Sequence, residues 1–185
     1  MYYVLDCFGP EDEDRAGLGE ILNTELPWET GRRFAQPPVS PVLVELNPDF
    51  PGAMMPMFDS GILLFSDEML AALDEAGVDN LDRYDTVVRD PVTGRSFSNY
   101  KAVNIIGVVA CADLGASVYQ APSGSPLIDT DFDSLVIDET RAKELLMFRL
   151  AECVTAIIVH DRVRRHLEAS GIPHLDFYEP QDWIG

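Results

Sequence analysis

Residues 62–85 read ILLFSDEMLAALDEAGVDNLDRYD, and residues 156–179 read AIIVHDRVRRHLEASGIPHLDFYE. The two stretches align without a gap, 94 positions apart, and six aligned positions are identical. Each opens with an apolar run and carries a Gly near its middle. A repeated supersecondary unit determines how the rest of a chain can pack, because each copy needs a partner for its apolar face. The sequence therefore predicts two similar strand–helix–strand units, at about 62–85 and 156–179.

The first copy shows why each unit should contain a short helix. Ser66, at the end of the apolar run, has a side-chain oxygen that can cap a helix start. Met69 and Leu73 follow at helical spacing and form one apolar face. Gly77 stands where a helix commonly ends in the left-handed conformation, and Gly171 is its equivalent in the second copy.

The rest of the chain is rich in strand-like runs joined by turns. Residues 2–7 and 41–46 predict strands, and residues 84–111 predict a β-hairpin around a Pro- and Gly-containing turn. Strands then outnumber helices. The sequence predicts an α+β fold with a mixed, largely antiparallel sheet and helices packed on it, and residues 1–185 form a single domain on the usual relation of length to domain number.

Several finer expectations follow from local composition. Gly, Pro and acidic residues are typical of loops, whereas continuous apolar runs are typical of central strands covered on both faces. We therefore expect a loop at 9–20, an irregular surface segment at 26–41, a central strand at 103–112, a short strand at 135–137 and a short helix at 138–146.

The charge of the chain is strongly negative. Thirty-two acids against 13 bases give a net charge of −19 and a pI near 4.2. Residues 1–30 alone hold eight acids and one base. Such a field repels nucleic acid and anionic lipid and attracts a basic partner. Solubility alone is the alternative explanation of the charge.

Residues 1–10 lack the basic region that opens a secretion signal, and no apolar run reaches the roughly 18 residues that a membrane span needs, so we expect neither a leader nor a membrane span. The three cysteines, Cys7, Cys111 and Cys153, are scattered and odd in number. This spacing is typical neither of a disulfide framework nor of a metal site. We therefore expect free thiols and a cytoplasmic location.

A search for catalytic motifs assembles no active site. Residues 129–133 (DTDFD) resemble the start of a calcium loop, but Ser134 and Thr140 stand where that loop needs Gly and Glu, so a solvated acidic turn is expected. Gly-rich phosphate loops are absent from the sequence. We predict no catalytic residue, no cofactor and no metal. An enzyme using His160, Asp161 and Cys153 stays open as an alternative, provided that these groups meet in one pocket.

Several short motifs together resemble a known family, the family-11 immunity proteins of bacterial polymorphic toxin systems. The resemblance extends over about residues 2–180. The residues that carry it are YKAVNIIGVVACAD (100–113), MFRL (147–150), IIVHD (157–161) and GIPHLDFYEP (171–180), with LLFSD (63–67) and GVDNL (77–81) in the first copy.

The resemblance implies a cytoplasmic, non-enzymatic antidote that binds and neutralises a cognate toxin. Combined with the charge, it predicts an acidic surface that covers a basic face of the toxin. Trp28 is a candidate aromatic anchor, because Trp is favoured at binding hot spots. An adaptor or scaffold module with another protein partner is the alternative. The candidate acidic contacts are Glu11, Asp12, Glu13, Asp14, Asp129, Asp131 and Asp133.

Overall fold

The computed structural model describes residues 1–7 and 15–185. This part of the chain contains two α-helices and thirteen β-strands. In chain order they are β1 (Tyr2–Cys7), β2 (Ala16–Ile21), β3 (Val42–Pro51), β4 (Met57–Asp59), β5 (Leu63–Ser66), α1 (Asp67–Ala76), β6 (Leu81–Arg89), β7 (Ser96–Ile105), β8 (Val108–Val109), β9 (Val118–Gln120), β10 (Asp131–Ser134), β11 (Met147–Leu150), β12 (Ile157–His160), α2 (Asp161–Ser170) and β13 (Leu175–Tyr178).

The predicted α+β class is confirmed, although the strands form three sheets where one was expected. A six-stranded sheet has the order β2-β3-β6-β7-β5-β4, a five-stranded sheet has the order β13-β1-β12-β11-β8, and β9 pairs with β10. All neighbouring strands are antiparallel except β3–β6 and β8–β11. In the described part of the chain, neither helix is long and apolar enough to cross a membrane.

Both predicted repeat units are present, and their helices begin and end as the sequence indicates. The Ser66 hydroxyl accepts a hydrogen bond from the Met69 N–H at 3.2 Å. His160 caps α2 in the same way, since its Nδ1 accepts from the Arg162 N–H at 3.2 Å. Gly77 (φ 90°) and Gly171 (φ 73°) end the two helices in the left-handed conformation that glycine adopts without steric cost.

The two units also share one strand register. In each, an antiparallel strand lies between the strand before the helix and the strand after it. In the first unit this inserted strand is β7, with Tyr100 opposite Ser66. In the second unit it is β1, with Tyr2 opposite His160, the residue equivalent to Ser66. The N-terminal strand therefore completes the second unit as β7 completes the first.

The duplication extends further than the sequence comparison indicated. Strand β4 (Met-Phe-Asp) pairs antiparallel with β5, and β11 (beginning Met-Phe-Arg) pairs with β12 in the equivalent register. The offset is 94 residues for the helices and 90 for these strands, because Met57 lies opposite Phe65 while Met147 lies opposite Val159. The connection between β11 and β12 is therefore four residues longer, and the extra residues fall within 151–156.

Equivalent parts of the two units face each other. Helix α1 packs against α2, with Glu75 and His166 separated by 3.3 Å. Asp59 and Arg149, which end the matching Met-Phe-Asp and Met-Phe-Arg runs, form an ion pair with 3.1 Å between Oδ2 and Nη1. Contacts between equivalent positions arise when two copies are related by an approximate two-fold axis.

The five-stranded sheet is covered on both faces. Residues of β1 alternate between two cores: Leu5 belongs to the larger core, which the helices and the six-stranded sheet share, and Val4 belongs to a smaller one. The smaller core also contains Phe132 of β10 and Trp183. The β9–β10 pair therefore lies over the outer face of the five-stranded sheet.

The expected loop at 9–20 lies outside the described residues up to residue 14, and it is wrong for the rest, because residues 16–21 form β2 along β3. Gly19 allows this pairing, since a Cβ there would lie 3.1 Å from the carbonyl oxygens of Glu45 and Leu46. β3 likewise continues to Pro51, beyond the Asn47-Pro48 pair that was expected to stop it.

Three later expectations are also wrong. The expected strand at 103–112 breaks at Gly107 (φ 144°), where the chain leaves the six-stranded sheet and joins the five-stranded one as β8. Ile137 makes only an isolated bridge, to Ala112, in place of a strand at 135–137. The expected helix at 138–146 is a single 3-10 turn, since Lys143 and Glu144 have positive φ.

Candidate partner-binding surface

The acidic segment at 129–133 is extended in place of the expected solvated turn: Asp129 makes an isolated bridge to Cys153, and β10 begins at Asp131. Asp129, Asp131 and Asp133 are exposed, whereas Thr130 and Phe132 between them are buried. Because exposed and buried residues alternate through this extended segment, the three carboxylates all lie on its solvent side, with about 7 Å between successive positions. We call this set of three the acidic row.

Packing beneath the acidic row explains why the segment is extended. The Phe132 ring contacts Tyr119 of β9 and Trp183, with ring centroids 6.0 and 6.4 Å apart. Its N–H donates to the Gly185 carbonyl, and its carbonyl accepts from the Gly185 N–H. Residues 129–133 therefore have a buried side, which packs against the protein, and a charged side, which faces solvent.

No basic residue lies close to the acidic row in the sequence, so its negative charge is not compensated locally. Residues 112–140 contain six acids and no Lys or Arg: Asp113, Asp129, Asp131, Asp133, Asp138 and Glu139. Among residues 1–7 and 15–185, the one side-chain hydrogen bond of the row joins the Ser123 hydroxyl to Asp129 at 2.9 Å. The carboxylates are therefore available to a positively charged partner.

An apolar groove of about 680 Å³ lies next to the start of the acidic row. Two neighbouring residues on its rim, Leu127 and Ile128, are 49% and 66% exposed. Exposed apolar residues beside polar ones mark protein–protein contacts more often than isolated exposed side chains do. The remaining lining residues are Leu26, Pro27, Trp28, Glu29, Thr30, Arg32, Gly61, Val108, Ala151 and Val154.

Ile128 is held in an unfavourable backbone conformation. Its φ is 77°, a left-handed value that β-branched residues rarely adopt. Its N–H donates to the Ala151 carbonyl at 2.9 Å, and its carbonyl accepts from the Val154 N–H at 3.1 Å. Both partners belong to the longer β11–β12 connection, so the groove lies where the second unit departs from the first.

Trp28 is not the exposed anchor that the sequence suggested. Its side chain is 2% exposed and packs edge-to-face against Phe34 and Tyr84, with centroids 5.0 and 5.7 Å away. Residues 26–41 fold this Trp inward, where it forms part of the groove wall. Trp28 thus shapes the groove from within the core and cannot reach across an interface.

The second candidate acidic patch, Glu11, Asp12, Glu13 and Asp14, lies outside the described residues. The structure therefore brings together only the later part of the set proposed from sequence. The groove was missed because its walls come from five separate segments. One signal in the sequence could have indicated it, namely the pair Leu127-Ile128 between a Ser- and Pro-rich loop and the acidic row.

A second, more polar cavity of about 640 Å³ lies at the end of β1. Asp6, Arg15 and Asp59 are among its lining residues. Burial raises the pKa of Asp6, and the negative charge of Asp176 raises it further. The hydrogen bond from the Cys7 N–H and the positive charge of Arg15 act in the opposite direction and lower this pKa. Asp176 lies directly opposite Asp6 on β13, where like charges repel.

Replacing Asp6 by Asn should increase stability near pH 7. A carboxyl whose pKa is raised by folding holds its proton more tightly when folded, so stability falls as pH rises through the interval between the unfolded and folded pKa values. Asn carries no charge and still accepts from the Cys7 N–H, which Asp6 does at 2.7 Å. The free energy of unfolding, measured in urea at about pH 4 and about pH 7, tests this expectation, with Asp49→Asn at an exposed position as control. A loss of stability at neutral pH for Asp6→Asn alone would contradict the account.

The alternative catalytic set does not form one pocket. Cys153 is buried in the smaller core, in the connection before β12, whereas His160 is half-buried at the far end of that strand. The Cys153 sulfur lies 3.2 Å from the Thr155 hydroxyl, His160 caps α2, and Asp161 binds Arg164. Within residues 1–7 and 15–185, no cluster of three His, Cys, Asp or Glu side chains could hold a metal ion.

Two of the three arginines in the basic run on α2 are paired with acids of the same helix. Arg164 bonds to Asp161 and Glu168, each at 2.9 Å, and Arg165 pairs with Asp161 at 2.7 Å. The Arg164 hydrogen bond lowers the pKa of Asp161. This run therefore provides little net positive charge for an anionic ligand.

Comparison with known proteins adds no assignment. No protein-family model matches the chain, and no curated protein matches it. The resemblance to family-11 immunity proteins thus stays a prediction. Function has to be argued from the acidic row and the apolar groove themselves.

Proposed function

We propose that this protein is an immunity protein that binds a cognate bacterial toxin through the acidic row and the apolar groove, without catalysis. The observation that carries the proposal is the contiguity of these two features along residues 127–133. Leu127 and Ile128 present exposed apolar area, and three exposed carboxylates follow directly along the same extended segment. The resemblance to family-11 immunity proteins supplies the expectation that the partner is a toxin.

The physical chemistry of this surface favours a basic protein over a small molecule. Protein interfaces combine a desolvated apolar centre with a polar rim. Here the groove supplies the centre and the acidic row supplies one side of the rim. The net charge of −19 steers a basic partner towards the surface and raises its association rate.

We place the protein in the cytoplasm, where its toxin would otherwise act. All three cysteines are free and buried. Burial raises the pKa of Cys7 to about 11 and of Cys111 to about 12, which keeps these thiols protonated and unreactive. Thiols of this kind suit a reducing compartment and need no oxidative folding.

Co-expression with the product of the reading frame adjacent to its gene tests the proposal. The expected result is that this protein restores growth to cells that express the neighbouring product and that the two co-purify at low salt. A complex without toxicity would replace the toxin by another protein partner and favour an adaptor. If the protein neither restores growth nor forms a complex with the neighbouring product, the proposal is overturned.

A further inference from the structure

At the rim of the groove, Ile128 has an unfavourable backbone conformation that burial of its side chain does not compensate. Ile128 is 66% exposed, so its side chain gains little from burial, while its φ of 77° is one that Gly or Asn would adopt more easily. Strained residues persist where surrounding contacts impose them, and they concentrate at binding sites. Here both backbone groups of Ile128 are fixed by Ala151 and Val154.

We infer that the apolar groove receives one large apolar side chain of the partner, of the Leu, Ile, Met or Phe class, next to Lys or Arg residues that reach the acidic row. This inference rests on the proposed function and specifies how the partner is recognised. A toxin segment would then need both parts, a single apolar anchor and flanking positive charge.

The walls of the groove are arranged before any partner arrives. Trp28 is locked between Phe34 and Tyr84. Opposite the Trp28 segment, the rim segment 127–128 is tied by hydrogen bonds to the β11–β12 connection. A preformed site loses little conformational freedom on binding, so more of the contact energy appears as affinity.

The size and charge of the site point to the same occupant. A volume of about 680 Å³ falls in the range of pockets that hold a drug-sized ligand, so the groove has room for a large apolar side chain together with the backbone that carries it. Glu29 lies in the groove wall and Asp129 follows Ile128 directly, whereas Arg32 is the one base among the lining residues. An acidic anchor segment would meet repulsion here, and a basic one would not.

Two synthetic peptides test the inference, Lys-Lys-Leu-Lys-Lys and its matched control Lys-Lys-Ser-Lys-Lys. The chain has two tryptophans, so a ¹⁵N-labelled sample shows the indole N–H of Trp28, in the groove wall, and that of Trp183, under β10. The Leu peptide, added to millimolar concentration, should shift the Trp28 signal and bind on the order of 10-fold more tightly than the Ser peptide.

The outcomes separate the anchor from the charge. Equal binding of both peptides at the acidic row, with Trp28 unmoved, overturns the anchor inference and leaves the proposed function standing. If the Leu peptide perturbs neither Trp28 nor residues 129–133, the anchor inference and the proposed function are both overturned.

The variant Ile128→Gly supplies an independent readout. Removing this side chain relieves the strained backbone, so the melting temperature should stay the same or rise, while the affinity for the Leu peptide should fall several-fold. A purely structural role for Ile128 predicts the reverse, a lower melting temperature with unchanged peptide affinity.

Discussion

Reversing the charge of the acidic row, by Asp129→Lys, Asp131→Lys and Asp133→Lys together, should weaken binding to the proposed toxin partner by roughly 100-fold or more. Each replacement changes the charge by two, so the net charge moves from −19 to −13 and the protein stays acidic overall. The row itself, however, becomes repulsive to a basic face. Surface plasmon resonance should show a large loss in association rate and a weaker dependence of affinity on salt.

A matched variant separates this local effect from the change in total charge. Glu20, Asp49 and Asp79 are exposed and have no ion pair among the described contacts, so reversing all three produces the same net charge at other places. This control should bind nearly as tightly as the unmodified protein. Equal losses in the two variants would mean that the overall field, and not the acidic row, determines binding.

Removing Asp59 should destabilise the fold by about 3 kcal/mol or more, because it leaves a buried guanidinium without its counter-ion. The side chain of Arg149 is 1% exposed, and its Nη1 lies 3.1 Å from Asp59 Oδ2. In Asp59→Ala the same Nη1 keeps its other hydrogen bond, to the Val154 carbonyl at 2.7 Å, but the charge has no partner. Equilibrium unfolding in urea measures the loss.

Replacing Arg149 should destabilise the fold less than replacing Asp59. Asp59 is 16% exposed, so in Arg149→Met its carboxylate can turn to water while Met fills the buried space. The expected order of stability is therefore unmodified protein, then Arg149→Met, then Asp59→Ala. If Asp59→Ala is the more stable of the two variants, the ion pair between the repeat units is not the stabilising contact described here.

Local signals in the sequence were sufficient for the interior of each repeat unit. Ser66, Gly77 and Gly171 act within a few residues of the helix that they begin or end, so their roles follow from spacing alone. The same reasoning predicted the apolar face through Met69 and Leu73, which are both buried.

The assembly of the units could not be predicted in the same way. Strand β1 lies between β12 and β13, more than 150 residues away along the chain, and nothing in its local composition specifies that partner. The match between β4 and β11 was hidden because the connection after β11 is longer. That longer connection also creates the groove, since it holds Ile128.

In the candidate site, too, some features could be predicted from the sequence and others could not. Asp129, Asp131 and Asp133 could be named from sequence because exposed acids are conspicuous, although their extended conformation depends on Phe132 packing against Tyr119 and Trp183. Trp28 was misjudged because its burial depends on Phe34 and Tyr84, which come from different segments.

Titration of the toxin's activity with increasing amounts of this protein tests the central claim most directly. Stoichiometric neutralisation predicts that activity falls linearly and ends at one equivalent at low salt, and that the acidic-row variant fails to inhibit at that ratio. Complete inactivation by far less than one equivalent would indicate catalysis. That result, or inhibition unaffected by reversal of the acidic row, would contradict the account.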